Sequence, residues 1–364
     1  MMKLGIVGLP NVGKSTLFNA ITKAGAGVAN YPFCTIDPNL GVVTVTDNRL
    51  DFLKKLYKPN KTTFATVEFV DIAGLVKGAS NGEGLGNQFL AHIRETTAIV
   101  HVVRCFEVKD IMHVMGEVNP LRDMEIIDTE LILSDIESIS KRLERLEKNA
   151  RVNNKKTFAE RELALKVKAH IDTGKPARTL KLDDDERVML KDFFLITAKP
   201  VLYACNIAEG DLPAIKNKYV KTVEEKSRKE NSQTVSVCAK IEAEISELSE
   251  EDQEIFLKDL ELKEPGLNHL IKAGYNLLDL ITFFTAGKDE VRAWTIKKGF
   301  LAPQAAGIIH TDFEKGFIRA AVVSFDDLFR LGNEKAVKDA GLLRIEGKQY
   351  LVKDGDIIEF RFNV

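Results

Sequence analysis

An α/β fold split by a helical hairpin and followed by a small α+β domain is predicted by three observations. Near the N-terminus the strand-length apolar run Lys3-Leu4-Gly5-Ile6-Val7 leads through a glycine-bearing loop into the helix-like stretch Ser15-Thr16-Leu17-Phe18-Asn19-Ala20-Ile21. Two core-strand runs, residues 98–105 and 200–206, are separated by a long interval with coiled-coil spacing. From Leu280 onward short strand patterns follow one another to the C-terminus. The boundaries read from these patterns are 1–127 with 198–280 for the α/β part, 128–197 for the hairpin, and 281–364 for the last domain.

Composition bounds the possibilities. The chain has 364 residues, enough for two or three domains, and its 45% hydrophobic and 29% charged content is ordinary for a globular protein. A net charge of −2 gives no global attraction to nucleic acid, so any such contact must be a local patch. The cysteines at 34, 105, 205 and 238 show no C-x-x-C spacing, which argues against zinc and against a disulfide framework. The first strand begins almost at residue 1, and no apolar run approaches the roughly 20 residues of a membrane span. A cytoplasmic location without membrane contact is the expectation.

The loop after the first strand is Gly8-Leu9-Pro10-Asn11-Val12-Gly13-Lys14-Ser15, a full match to G-x-x-x-x-G-K-[S/T] between a strand and a helix. Glycines at 8 and 13 let the backbone curl so that successive N–H groups face phosphate oxygens, and the helix N-terminus adds partial positive charge. Lys14 brings a full charge to the β- and γ-phosphates, and the Ser15 hydroxyl is a ligand for Mg²⁺. The contact stretch is expected to run from Asn11 through Val12, Gly13, Lys14 and Ser15 to Thr16. This is a nucleoside triphosphate site.

Downstream, Tyr31 to Asn39 is bracketed by prolines and reads as a loop returning to the strand Leu40–Val45. Thr35 is its candidate for reaching Mg²⁺ and the γ-phosphate, an ordinary loop hydroxyl being the alternative on this segment alone. Thr63–Val70 reads as one strand ending in Asp71-Ile72-Ala73-Gly74, and a carboxylate at a strand's C-terminal end lies where α/β sheets bind ligands. Asp71 is placed to hold Mg²⁺ through water and the Gly74 N–H to sense the γ-phosphate. Gly78, Gly82, Gly84 and Gly86 then make a loop suited to being ordered by the γ-phosphate and released on hydrolysis. A plain surface loop is the alternative.

In the long interval, Ile132, Ile136, Ile139, Leu143 and Leu146 recur at alternating spacings of four and three. A polar break from Asn149 to Lys156 precedes a second helix over Phe158–Ile171, so an antiparallel hairpin is predicted. Its tip carries Lys148, Arg151, Lys155, Lys156 and Arg161 against Glu160. A solvated face and an arm touching RNA phosphates are the two readings of that tip.

Asn206-Ile207-Ala208-Glu209 stands where guanine-binding proteins carry Asn-Lys-x-Asp. The longer carboxylate of Glu209 displaces both acceptors for guanine, and a buried mismatch of one hydrogen bond costs about 1–3 kcal/mol. The Asn206 amide suits the N6 amine and N7 of adenine. The residues therefore favour ATP, or both ATP and GTP. Cys238-Ala239-Lys240 follows another strand as a base-edge loop, with Ile241–Leu260 acidic and helical and Leu267–Leu278 closing the domain. In the terminal domain, residues 280–287 and 291–296 read as a hairpin. Strands are expected at 320–325, 342–346, 350–352 and 357–362, with one or two short helices. Its charges nearly balance.

Together these segments resemble the YchF subfamily of Obg-related P-loop NTPases, or Obg-like ATPases, over essentially the whole chain. The resemblance rests on Gly8 to Ser15, Asn30-Tyr31-Pro32-Phe33-Cys34-Thr35, Asp71-Ile72-Ala73-Gly74-Leu75, Gly86-Asn87-Gln88-Phe89, Asn206 to Glu209 and the terminal β domain. It implies a Ras-like G domain interrupted by a coiled-coil hairpin and followed by a TGS domain of ubiquitin-like β-grasp fold. It also implies Mg²⁺-dependent ATP hydrolysis with GTP often tolerated, and association with the ribosome and its RNA, with no DNA partner. Leu75 stands where many related switches carry a water-orienting glutamine. The resemblance then implies that a residue elsewhere, or a K⁺ ion held by Asn11, assists hydrolysis. Cys238 replaces the family's usual serine, weakening one hydrogen bond but keeping the backbone donors. A slow ATPase switch is the leading reading. An RNA- or ribosome-binding adaptor with a structural nucleotide, and a GTP-specific GTPase, are the alternatives.

Overall fold

The computed structural model describes residues 2–25, 39–72, 85–108, 116–149, 155–213 and 215–363. The first elements are β1 (Lys3–Val7), α1 (Lys14–Ala24), β2 (Leu40–Thr44), α2 (Asn48–Tyr57), β3 (Lys61–Thr63), β4 (Thr66–Asp71), α3 (Leu85–Glu95) and β5 (Ala98–Arg104). The long helices α4 (Pro120–Asn149) and α5 (Lys155–Ile171) and the short α6 (Asp184–Lys191) come next. Then follow β6 (Val201–Asn206), α7 (Lys218–Lys229), β7 (Gln233–Val237), α8 (Ala239–Ile245), α9 (Glu250–Asp259) and α10 (Gly266–Leu277). The C-terminal elements are β8 (Leu280–Ala286), β9 (Glu290–Lys297), α11 (Ala302–Ile309), α12 (Thr311–Lys315), β10 (Phe317–Ser324), α13 (Phe325–Leu331), α14 (Glu334–Asp339), β11 (Arg344–Glu346) and β12 (Asp356–Phe362). Two compact units result: Met1–Val42 with Glu68–Gly274, and Val43–Val67 with Tyr275–Val364.

The first unit is built on a six-stranded sheet of order β2-β4-β1-β5-β6-β7. β1 runs parallel to β4 and β5, β5 to β6, and β6 to β7, with Leu4 opposite both Phe69 and Ala98. All residues of β5 and β6 are buried, the continuous apolar pattern of parallel strands covered on both faces. Because these strands are parallel, Val7, Asp71, Arg104, Asn206 and Val237 all end at the same edge, the edge where such sheets hold ligands.

The interval between β5 and β6 forms the helical insertion. Ile132, Ile139, Leu143 and Leu146 of α4 pack on Leu163, Ala164, Val167 and Ile171 of α5, with Ile136 partly buried against them and Phe193 and Leu195 closing the cluster. α4 starts at Pro120, before the expected boundary at 128, because its first turns bury Met124 and Ile127. Asp135 on α4 fixes the chain's return: it accepts from the N–H groups of Ile196 and Thr197, at 2.9 and 2.7 Å, and from the Thr197 hydroxyl at 2.6 Å. The acidic, helical stretch expected over 241–260 forms α8 and α9, with the Ser249 side chain capping α9.

The second unit holds a mixed sheet of order β11-β10-β12-β8-β9-β3. β8 and β9 form the expected hairpin, with Phe283 opposite Trp294. β10 pairs antiparallel with β12, and β12 runs parallel to β8. Phe283, Ile296, Ala302, Ala305, Ala320, Val322, Ile358 and Phe360 make its core. Three expectations need correction here. The strand read over 63–70 is two, β3 and β4, and β3 pairs in parallel with β9, Thr62 opposite Val291. Residues 350–352 contribute an isolated bridge, Leu301 with Leu351, instead of a strand. The short helices number four, α11 to α14.

Residues 43–67, read from sequence with the nucleotide domain, belong to this second unit. α2 within them buries Leu50 and Leu53, and Asp47 caps it by accepting from the Arg49 N–H. Arg49 also pairs with Asp354 at 2.7 Å and lies over the Phe284 ring, so the early segment and the C-terminal one share charge pairs as well as a sheet.

Candidate nucleotide-binding site

The turn from β1 into α1 is set by two residues in left-handed backbone, Asn11 at φ 62° and Gly13 at φ 92°. Gly13 is the N-cap of α1, a position where glycine leaves the first N–H groups uncovered by any side chain. A Cβ on Gly13 would lie 2.1 Å from the Asn206 Nδ2, so sequence and space both demand glycine there. A Cβ on Gly8 would meet the Val102 carbonyl and the Val12 side chain, each at 2.9 Å.

Lys14, the first residue of α1, forms an ion pair with Asp71 at the end of β4. Two residues expected to share the phosphate and Mg²⁺ sites thus converge. Ser15 and Thr16, on the first turn of α1, are exposed beside the uncapped N–H groups. One carboxylate and one hydroxyl are hard oxygen donors, the set Mg²⁺ takes when substrate phosphates and water complete its shell. Among the described residues there is no cluster of three or more His, Cys, Asp or Glu side chains able to hold a metal without such help.

Asn206 lies at the C-terminal end of β6. It is 4% exposed; its Nδ2 donates to the Val12 carbonyl at 2.8 Å and its Oδ1 accepts from the Ala239 N–H at 3.0 Å. Its amide is engaged with the protein's own backbone, tying the phosphate loop to the 238–240 loop. Ile207 is buried and its N–H donates to the Val237 carbonyl. Glu209 opens a short 3₁₀ turn and pairs with Lys240 at 2.9 Å, both side chains remaining largely exposed. Beside Glu209 the Lys240 ammonium is held above its ordinary pKa. Cys238, the N-cap of α8, is buried, and burial pushes its thiol up from the usual value.

Sequence reading missed Arg104, the last residue of β5. It is 1% exposed, donates from Nε to the Phe106 carbonyl at 3.2 Å and from Nη1 to the Asn11 carbonyl at 3.4 Å, and lies 4.4 Å over the Phe106 ring. The signal was an arginine inside an otherwise apolar strand run. Burial lowers its pKa, opposed by the Asp123 carboxylate of α4.

Comparison with known proteins agrees with this geometry. The profile MMR_HSR1, a 50S ribosome-binding GTPase, matches residues 3–158, and YchF-GTPase_C, described as a protein of unknown function, matches residues 280–363. The ribosome-binding ATPase YchF of Bacillus subtilis (strain 168) is 53% identical over 361 residues, covering 99% of each chain. The chain belongs to the YchF family.

The ribosome-binding ATPase YchF of Escherichia coli O157:H7 is also 53% identical, over 100% of this chain and 99% of the relative. The solved YchF GTPase of Schizosaccharomyces pombe superposes with a TM-score of 0.90 at 42% identity, covering 99% of this chain and 97% of that one. The P-loop α/β fold with its C-terminal domain is thus that of YchF. Of the YchF site residues expected from sequence, Thr35 and Gly74 lie outside the described residues, as do Leu75 and the glycines at 78, 82 and 84. At the hairpin tip Lys148 and Lys156 are exposed, Arg161 is half-buried with its guanidinium on Glu162, and Arg151 lies outside the described residues. No helix among the described residues is long and apolar enough to cross a membrane.

Proposed function

We propose that this chain binds ATP at the Gly8–Ser15 loop and hydrolyses it slowly to ADP and phosphate, acting as a ribosome-associated, nucleotide-controlled switch. The observation that carries the reading is the convergence of Lys14 with Asp71 at the uncapped N-terminus of α1. The names of the relatives, ribosome-binding ATPases at 53% identity over nearly the full chain, support both the activity and the partner. A cytoplasmic location follows from that role.

In this reading the backbone N–H groups from Asn11 to Thr16 cradle the phosphates, and Lys14 exchanges Asp71 for β- and γ-phosphate oxygens. Ser15 and Asp71, with Thr35 from the preceding loop, would hold Mg²⁺, which supplies charge neutralisation on the phosphates when bound. The Gly74 N–H senses the γ-phosphate. Glu209, Ile207 and the Cys238-Ala239-Lys240 loop border the base. Glu209, already engaged by Lys240, does not offer guanine the paired acceptors of an aspartate, which favours ATP while leaving GTP tolerated. Catalysis is positioning and charge stabilisation without a covalent intermediate.

Titration calorimetry with ATP and GTP tests the base preference: ATP affinity equal to or above GTP affinity is expected, and a marked GTP preference would return the chain to the GTP-specific reading. Single-turnover hydrolysis, with and without ribosomes and in K⁺ against Na⁺, tests the switch. Turnover indifferent to ribosomes and to K⁺ alike would leave an adaptor with a structural nucleotide.

A further inference from the structure

We infer that the exposed face of α2 is a binding surface for single-stranded RNA, with phosphates on Lys54, Lys55 and Lys58 and a base stacked on Phe329. The argument starts from charge. Residues 275–364 carry thirteen basic and thirteen acidic side chains and have no net charge of their own. The segment 43–67, which the fold delivers to the same unit, adds five basic side chains and two acidic ones. The unit's whole positive excess therefore arrives with α2 and its flanks.

Two of those five cations are spent internally. Arg49 is held by Asp47 and Asp354 at 2.7 Å each, and Lys61 lies 3.8 Å from Glu290. Lys54, Lys55 and Lys58 are exposed, and none of their ammonium groups makes an ion pair or hydrogen bond among the described residues. Leu50 and Leu53 face the core, so helical spacing puts Lys54, Lys55 and Lys58 together on the outward side, with Asp51 the one acidic residue among them. The helix dipole favours a cation in the last turn, but it does not require three on one face. Lys58 sits at φ 47°, the left-handed C-terminal position that glycine occupies without strain. A lysine there sacrifices local stability and keeps an ammonium at the end of the row.

An aromatic platform borders this row. Phe52, one helical turn from Lys55, packs at 5.0 Å on the ring of Phe329, which is 60% exposed, and Phe325 backs both rings at 5.6 and 5.8 Å. Unpaired cations beside a supported, exposed aromatic ring are the combination that binds single strands: phosphates meet the charges and a splayed base stacks on the ring. The choice of RNA among polyanions rests on the ribosome-associated reading above.

The test is fluorescence anisotropy of a labelled single-stranded 12-mer RNA with the full chain, without nucleotide or ribosomes, from low to high salt. The K54Q/K55Q/K58Q variant is expected to reduce the slope of log affinity against log salt by about 2, at about 0.7 per lost phosphate contact. F329A is expected to bind about ten-fold more weakly with the slope unchanged. Parental affinity and slope in the triple variant at every salt would overturn the inference. Unchanged oligonucleotide binding with lost co-sedimentation on ribosomes would overturn it too, in favour of a protein contact. Because no ATP is present, failure of the ATPase reading leaves this result standing, and a parental circular dichroism spectrum and Tm in the triple variant show that it folds.

Discussion

Asn206 Nδ2 donates to the carbonyl of Val12, 194 positions earlier in the chain, at 2.8 Å. The same side chain accepts from the Ala239 N–H, so a single buried amide links the phosphate loop to the 238–240 loop. If the 238–240 loop borders the base as proposed, affinity for phosphates and placement of the base are linked through one residue.

Replacing Asn206 with Ala should leave the Val12 carbonyl and the Ala239 N–H without partners, at about 1–3 kcal/mol each. ATP and GTP affinities are expected to fall together, by roughly ten- to a hundred-fold, in calorimetric titrations. A loss confined to one nucleotide would instead show that the amide reads the base.

Gly13→Ala combines a strained φ of 92° with a Cβ 2.1 Å from the Asn206 amide. The expected result is loss of measurable ATP binding by calorimetry, with the helical circular dichroism signal retained. Binding within a few-fold of the parent would mean that the loop has room the geometry denies it.

Glu242 gives a pH test. It is buried on α8, accepts from the Gly266 N–H at 2.9 Å, and burial pushes its carboxyl up to about 7. A folded-state value above the unfolded value of about 4.3 means that the folded chain binds the proton more tightly. That stability is present at pH 4 and is lost as pH rises through 7, a difference on the order of 4 kcal/mol. His101 acts in the opposite sense: burial pushes it down to about 4, so its contribution is lost as pH falls from 6.5 toward 4. A simple pH scan would blend the two. The Tm difference between E242Q and the parent isolates Glu242, and it should grow in favour of the variant from pH 5 to pH 8. A difference independent of pH would refute the assignment.

Asp135→Ala removes one acceptor for three donors at the return from the insertion to β6. Urea unfolding should show a loss of about 3 kcal/mol. Full stability would mean that Ile196 and Thr197 find other partners.

Much of the fold could be read from short-range pattern. The run from Lys3 to Ile21 carried its strand, loop and helix in one stretch, and the Ile132 to Leu146 seam named its own packing face. The pairing of β3 with β9 could not be read that way, because Thr62 and Val291 share no local signal and Phe64-Ala65 break a run that looks continuous. At the site, Gly13 and Lys14 were legible because phosphate binding constrains spacing. The roles of Asn206 and Arg104 depend on which backbone carbonyl each side chain meets, and residue type alone does not specify that.

The division of the second unit has a consequence for synthesis. Thr63 donates its hydroxyl to Glu290, 227 positions later, at 2.5 Å. On the ribosome α2 and β3 emerge early, and the face of α2 that bears Leu50 and Leu53 must wait for β9 before it can be covered. The entropy of closing so long a loop grows only logarithmically with length, so the delay costs time more than stability. A fragment beginning at residue 280, where the C-terminal family profile starts, would lack β3 and α2. It would leave the outer edge of β9 unpaired and open to self-association.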